Sequence, residues 1–204
     1  MSFKVSVIVP VWNQEELVIR ALDSIPRRDD IEVIVIDDAS TDNTYQNVSK
    51  YAEAHQELHI RIYRNEENMG LGYTKNVGYD KAQGEYVHQL DSDDYLYTEE
   101  YSRAIDMIDG EDMVFINLVI NNGTVFMLEW NTKHGYCGGT TKFVKRSFLG
   151  DERCPEIRAA EDYPLNERLL AKPHTEKFTH INAYHYNYPR EGSLYDLLKK
   201  GLIE

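Results

Sequence analysis

The sequence predicts an α/β fold with a mainly parallel sheet flanked by helices, and three observations carry that reading. Val33-Ile34-Val35-Ile36 is a continuous β-branched run, the pattern of a strand buried on both faces. Strand-like and helix-like segments alternate through residue 110 with short connections, the order of a parallel sheet with crossover helices. Two strands stop abruptly at acids, at Asp37-Asp38 and at Asp91-Ser92-Asp93-Asp94. Open α/β sheets bind ligands at the carboxyl ends of their strands.

The elements follow in order. Val5-Ser6-Val7-Ile8-Val9 reads as a central first strand, ended by Pro10, which has no N–H for a sheet ladder. Asn13 is expected to cap a helix, with Glu16 three residues on completing a capping box. Leu17, Ala21, Leu22 and Ile25 give that helix an apolar stripe. Val33 to Ile36 is strand two. Thr41 or Asp42 caps the next helix, with Tyr45, Val48 and Ala52 on one face. Ile60 to Tyr63 alternates as strand three, and a helix over Tyr73 to Ala82 stops at Gly84. Glu85 to Leu90 is strand four. Thr98 caps a helix that aligns Tyr101, Ala104, Ile105 and Ile108. Beyond residue 110 the pattern turns mixed. Met113 to Ile120 and Thr124 to Trp130 flank the hairpin signal Asn121-Asn122-Gly123. Gly135 to Thr141 reads as a loop, Tyr163 to Ala171 as a helix and Thr179 to Tyr188 as extended chain. No repeat, low-complexity tract or linker divides the 204 residues, so one domain is expected, with a ligand-binding half (1–110) and a mixed half (111–204).

The net charge of −13 disfavours nucleic acid as a partner and broad docking on an anionic membrane. Cys137 and Cys154 have neither metal nor redox spacing, which reads as free thiols in a reducing cytoplasm. No targeting segment is visible, and no run approaches the roughly 20 apolar residues of a membrane helix. The expected location is the cytoplasm, including peripheral placement at the inner face of a membrane.

The clustered acids point to chemistry. Burying like charges is costly unless something positive compensates them, and a hard divalent cation with an anionic ligand would do so. The bland alternative is a turn and a helix cap, which Asp and Ser both favour.

With those residues in view, the chain resembles the family 2 glycosyltransferases of GT-A fold. Val5 through Asn13 is similar to that family's opening strand and turn, and Ile36-Asp37-Asp38-Ala39-Ser40-Thr41-Asp42-Asn43-Thr44 to its nucleotide-binding segment. Asn68-Met69-Gly70 through Lys75-Asn76-Val77-Gly78 resembles its central loop and helix. Ala82 to Asp94 resembles the approach to its DXD metal motif, and Glu161-Asp162 with Leu165 its late acid motif. Five fragments in this order make a specific signal.

The resemblance implies an inverting glycosyltransferase using a UDP-sugar donor with Mn²⁺ or Mg²⁺. Asp93 would be the direct metal ligand. Asp91 would contact ribose, or the metal through water, with Ser92 beside them and Asp94 behind. Asp38 would meet the base, lined by Pro10, Val11 and Asn13, with Gly70 permitting close approach of the backbone. Lys75 stands where the family usually carries arginine; it keeps the charge but loses the planar fork, and would serve a carbonyl of the base. Asp162 would be the catalytic base. His185 is singled out from the seven histidines for a metal or phosphate role, with a packed strand histidine as the plain alternative. Arg190 and Ser193 resemble a late segment that touches phosphate, with Pro189 altering its spacing. The acceptor (glycan, lipid-linked or small molecule) and the oligomeric state are left open. Two other classes are carried: a non-catalytic sugar-nucleotide binder and a nucleotidyltransferase. The latter usually has a glycine-rich, basic first loop, which Pro10 to Gln14 lacks.

Overall fold

A computed structural model gives the architecture; it describes residues 2–129, 138–157, 160–191 and 200–201. The strands are β1 (Val5–Val11), β2 (Ile31–Asp37), β3 (Ile60–Arg64), β4 (Tyr86–Gln89), β5 (Tyr95–Leu96), β6 (Met113–Ile120), β7 (Val125–Phe126), β8 (Lys142–Lys145) and β9 (Glu176–Tyr186). The helices are α1 (Leu17–Asp23), α2 (Thr44–Ala54), α3 (Leu71–Lys81), α4 (Thr98–Asp106), α5 (Arg146–Leu149) and α6 (Asp162–Ala171). One sheet runs β3-β2-β1-β4-β8-β6-β9-β5, with β7 paired to β6.

β1 to β4 are mutually parallel where they pair, as the first half of the sequence predicts. β8 is antiparallel to both β4 and β6, which makes the second half mixed. β1 and β2 are buried at every position. Val5, Val7 and Val9 face a core shared with Val18, Leu22, Tyr101 and Ile105 of α1 and α4. Ile8, Ile34 and Ile36 face the opposite core, with Tyr79 of α3 and Leu165 and Leu169 of α6. Alternation along the strand thus feeds two layers of helices, which is why the run is apolar throughout. Gly78 lets α3 lie on the sheet: a Cβ there would stand 2.3 Å from Ile8 Cγ2.

Several local expectations are corrected. Pro10 lies inside β1, paired in register with Ile36. Pairing with β4 has already ended at Ile8–Gln89, and Leu90 N donates to Ile8 O at 2.9 Å. Backbone polar groups alternate sides, so the missing N–H of Pro10 faces the side that β4 has left. Asn13 is no helix cap. It has φ 50°, and its Oδ1 accepts a hydrogen bond from Thr41 N at 2.8 Å, while α1 begins at Leu17 with no side-chain cap. Thr98 opens α4 without capping it; its hydroxyl donates to Ser24 O instead. The hairpin at Asn121–Gly123 forms, with its second strand reduced to Val125–Phe126. Trp130, residues 135–137 of the glycine-rich loop (Cys137 among them) and Ser193 lie outside the described residues. No described helix is long and apolar enough to cross a membrane.

Candidate active site

The strand order reverses between β1 and β4, so the crevice at their carboxyl ends is the topological switch point of the sheet. Three non-glycine residues with left-handed backbone surround it: Asn13 (φ 50°), Ala39 (φ 58°) and Ala160 (φ 58°). Such conformations cost about 1–3 kcal/mol each and cluster at functional sites.

The first side of the crevice is built on Asp38. This buried carboxylate follows β2, and its own N–H donates to Val11 O at 2.8 Å. Its Oδ1 accepts from Asn65 Nδ2 at 2.7 Å and Met69 N at 2.9 Å, and its Oδ2 from Gly70 N at 2.9 Å. A carboxylate offers about four acceptor positions; three of these anchor the 65–70 loop, leaving one. Gly70 (φ 86°) then turns the chain into α3. Pro10 and Val11 form the buried floor beneath, while Trp12 is half exposed at the rim. Asn13 N donates to Ser40 Oγ, tying the ends of β1 and β2 together.

The second side is the acidic run after β4. Gln89 Nε2 donates to Asp91 Oδ1 at 2.5 Å. Burial pushes the Asp91 carboxyl up to about 6, against the lowering charge of Lys75 and with Asp93 adding to the rise. Asp93 Oδ2 accepts from both Nε (3.0 Å) and Nη2 (2.6 Å) of Arg190, and its carbonyl accepts from Arg20. Asp94 is fully buried and accepts from Tyr184 Oη at 2.6 Å and Asn187 N at 2.8 Å. Burial, then the charges of Asp91 and Asp93, raise its carboxyl well above the usual range. Asp94 therefore fastens the end of β9, the approach to Arg190, onto the acidic run. Ser92 is buried between these acids.

The third side comes from α6. Asp162 Oδ2 accepts from Gly139 N at 3.2 Å. Glu161 next to it is ion-paired with Lys75 of α3, both side chains almost fully buried, at 3% and 2% exposure. Burial works against the Lys75 ammonium, but Glu161, Asp91 and Asp162 together raise its pKa above the ordinary lysine value. The acidic run after β4 and the late acid pair thus both act on one buried charge. Asp162 and Gln89 also line a common cavity of about 20 Å³ with Gly139, Lys142 and Asn166.

Two of the expected site residues are engaged elsewhere in this geometry. Lys75 does not reach toward the Asp38 side; its ammonium is turned to Glu161. His185 does not join the carboxylates: one ring nitrogen meets Asn121 Oδ1 at 2.9 Å, the other Tyr97 Oη at 3.1 Å, and the ring stacks on Tyr95. Burial first, then Arg20, lowers its pKa. These contacts are those of a packed strand histidine. The sequence does not single out Glu161, Gln89 and Gly139 as a positioning set: Glu161 appears only within the late acid motif, Gln89 only as strand before Asp91, and Gly139 only within a glycine-rich loop.

The described residues hold no group of three or more His, Cys, Asp or Glu around one metal position. Asp91 and Asp93 nevertheless offer hard oxygen donors whose mutual repulsion a cation would relieve. A divalent ion taking its remaining ligands from a diphosphate and water fits that donor set.

Comparison with known proteins agrees with the fold and motif order. The model of "Glycosyl transferase family 2" matches residues 6–162. The poly(ribitol-phosphate) beta-N-acetylglucosaminyltransferase TarS of Staphylococcus aureus is 31% identical over 93% of this chain and 36% of its own length. The poly(ribitol-phosphate) beta-glucosyltransferase of Bacillus spizizenii is 27% identical over 93% of this chain and 33% of its own. The chain therefore spans about a third of the length of these curated relatives. Among solved structures, S. aureus TarS 1-349 in complex with UDP-GlcNAc superposes with TM-score 0.78 at 29% identity, covering 94% of this chain and 60% of that one. Mannosyltransferase PcManGT from Pyrobaculum calidifontis, with GDP-Man and Mn²⁺, superposes at 0.73 and 22% identity over 94% and 59%, a likeness of fold. On the family model and the ordered motifs, the chain belongs to glycosyl transferase family 2, with the GT-A fold.

Proposed function

We propose that the chain is the donor-binding and catalytic domain of an inverting glycosyltransferase that moves a sugar from a UDP-sugar to an acceptor hydroxyl. The observation that carries this reading is the convergence of Asp91, Glu161 and Asp162 on the buried Lys75 ammonium, at the switch point of the sheet. It brings a nucleotide-side acid and a base-side acid into one crevice. Residues 1–110 carry the donor side and 111–204 the acceptor side.

Asp38 keeps one acceptor position for an imide N–H of uracil, with Pro10, Val11 and Asn13 shaping the base pocket. The likeness to TarS, solved with UDP-GlcNAc, supports the uridine assignment. Asp93, with Asp91 and Ser92, would hold Mn²⁺ or Mg²⁺, which when bound neutralises the departing diphosphate as a Lewis acid. Arg190 supplies a further positive group on the diphosphate side. Asp162 is the general base: its carboxylate, held by the Gly139 N–H, takes the proton of the attacking hydroxyl. The attack on the face opposite the diphosphate inverts the anomeric centre. The acceptor is a hydroxyl of a glycan, a lipid-linked sugar or a small molecule, met in the cytoplasm or at the inner face of a membrane.

A screen of UDP-, GDP- and ADP-sugars for thermal stabilisation with and without Mn²⁺, followed by assay of nucleoside diphosphate release, tests the reading. Preference for UDP-sugars with Mn²⁺ and release of UDP are expected. Pyrophosphate release from a nucleoside triphosphate would move the chain to the nucleotidyltransferase class.

A further inference from the structure

We propose that Lys75 and Glu161 form a positioning pair that fixes the base Asp162, rather than Lys75 being a contact of the nucleotide base. The inference rests on the glycosyltransferase reading for its functional meaning, but its structural content stands apart. The two residues lie 86 positions apart, on α3 and at the start of α6, and meet through a buried ion pair.

Three observations make the pair a positioning device. First, Ala160, immediately before it, has the left-handed φ of 58° that an alanine resists, so something must hold the turn into α6. Glu161, buried and ion-paired with Lys75, holds it. Second, α3 and the chain leading to α6 are in tight contact at Gly72: a Cβ there would stand 2.1 Å from Pro155 O and 3.3 Å from Glu161 Cβ. The ion pair bridges the same closely packed seam. Third, among the described residues the Asp162 carboxylate accepts from Gly139 N–H, at 3.2 Å. With Glu161 pinned, Asp162 stays beside Gln89 and Gly139, with which it lines one cavity.

The pair also carries charge. Lys75 is in electrostatic reach of Glu161, Asp91 and Asp162, so one ammonium offsets acids on both sides of the crevice. A buried pair is costly to break from one side and cheap to replace whole. That asymmetry separates positioning from mere stability.

The test compares the wild type with Lys75→Met, Glu161→Gln and the double variant. Four quantities are measured: the thermal midpoint, amide hydrogen exchange at Gly139, and kcat and KM for a UDP-sugar. Each single variant should lower the midpoint. The double variant should regain most of it, yet Gly139 should exchange about 10-fold or more faster than in the wild type as its acceptor wanders. Transfer should then fall by up to about 100-fold in kcat with donor KM little changed, as expected of a misplaced base. A double variant with wild-type Gly139 protection and kcat would overturn the proposal and leave the pair a stability element. Loss of UDP affinity with kcat intact would return Lys75 to the nucleotide. Absence of any sugar transfer by the wild type would remove the enzymatic reading, while Gly139 exchange would still decide the positioning claim.

Discussion

Arg190 and Asp93 share a forked contact in which Nε and Nη2 both donate to the same oxygen, Oδ2, at 3.0 and 2.6 Å. If Asp93 is the metal ligand, guanidinium and cation compete for that oxygen. Arg190→Ala should therefore bind Mn²⁺ more tightly in the absence of nucleotide. The gain should be at most about 5-fold, the worth of a partly exposed pair. UDP–Mn²⁺ affinity should instead fall, because the diphosphate loses a cationic partner. Asp93→Ala should abolish Mn²⁺-dependent UDP binding at little cost to the fold. Calorimetry with Mn²⁺ alone and with UDP checks both signs; equal Mn²⁺ affinity in Arg190→Ala and wild type would refute the competition.

The strands, the helices of the first half and the acidic run were legible because each is local: a β-branched stretch, a periodic stripe, a stop at aspartate. Asp38, Asp91 and Asp93 stand out for the same reason. What escaped depends on partners far along the chain. Pro10 sits inside β1 because β4 leaves early, which no local pattern announces. Lys75 invites a reading toward the base, since its nearest motif is the nucleotide loop, yet its partner is 86 residues on. His185 has the right chemistry for a metal, but Asn121 and Tyr97 take both ring nitrogens. β8, four residues that join the two halves of the sheet, is too short to be read as a strand.

Asp38 should prove structural and functional at once. Asp38→Ala leaves Asn65, Met69 and Gly70 without their acceptor. A loss of about 1–3 kcal/mol in stability is expected, the cost of orphaned donors. UDP affinity should drop with it, and in the wild type UDP should outrank GDP and ADP. Thermal unfolding and a nucleotide titration series check the two effects separately; a wild type that prefers GDP would reject the uridine assignment.

The metal-free chain should respond to acid through opposed groups. Burial raises Asp91 to about 6, so the native state holds a proton there that the unfolded chain, with its ordinary value of 3.8, does not. Its contribution to stability is full below about pH 4 and is lost as pH rises through about 6. His88, buried against Tyr101 and Phe143, is lowered to about 3, chiefly by burial. Its neutral native form is favoured above 6.5, and that advantage is lost as pH falls toward 3. In chelator-treated protein, Asp91→Asn should make the melting temperature fall more steeply on acidification from pH 6 to 4. Melting curves that are parallel for wild type and variant would contradict the raised Asp91.

Asp162→Asn is the decisive variant for the chemistry. The substitution keeps the size of the side chain and an oxygen that can accept from Gly139 N–H, but removes the basic carboxylate. UDP–Mn²⁺ binding should persist, because Asp38 and the acidic run after β4 lie on other sides of the crevice. Sugar transfer should fall by roughly the 10²–10⁴-fold that a positioned general base contributes. The loss should appear in kcat rather than KM, as for an interaction made only in the transition state. Glu161→Gln is a poor control, since it strands the buried Lys75 ammonium and disturbs the same loop. Glu167→Gln, on the exposed face of α6, is the better one and should transfer sugar at the wild-type rate. If Asp162→Asn also turns over at that rate, the proton is taken by another group and the assignment of the base to α6 is wrong.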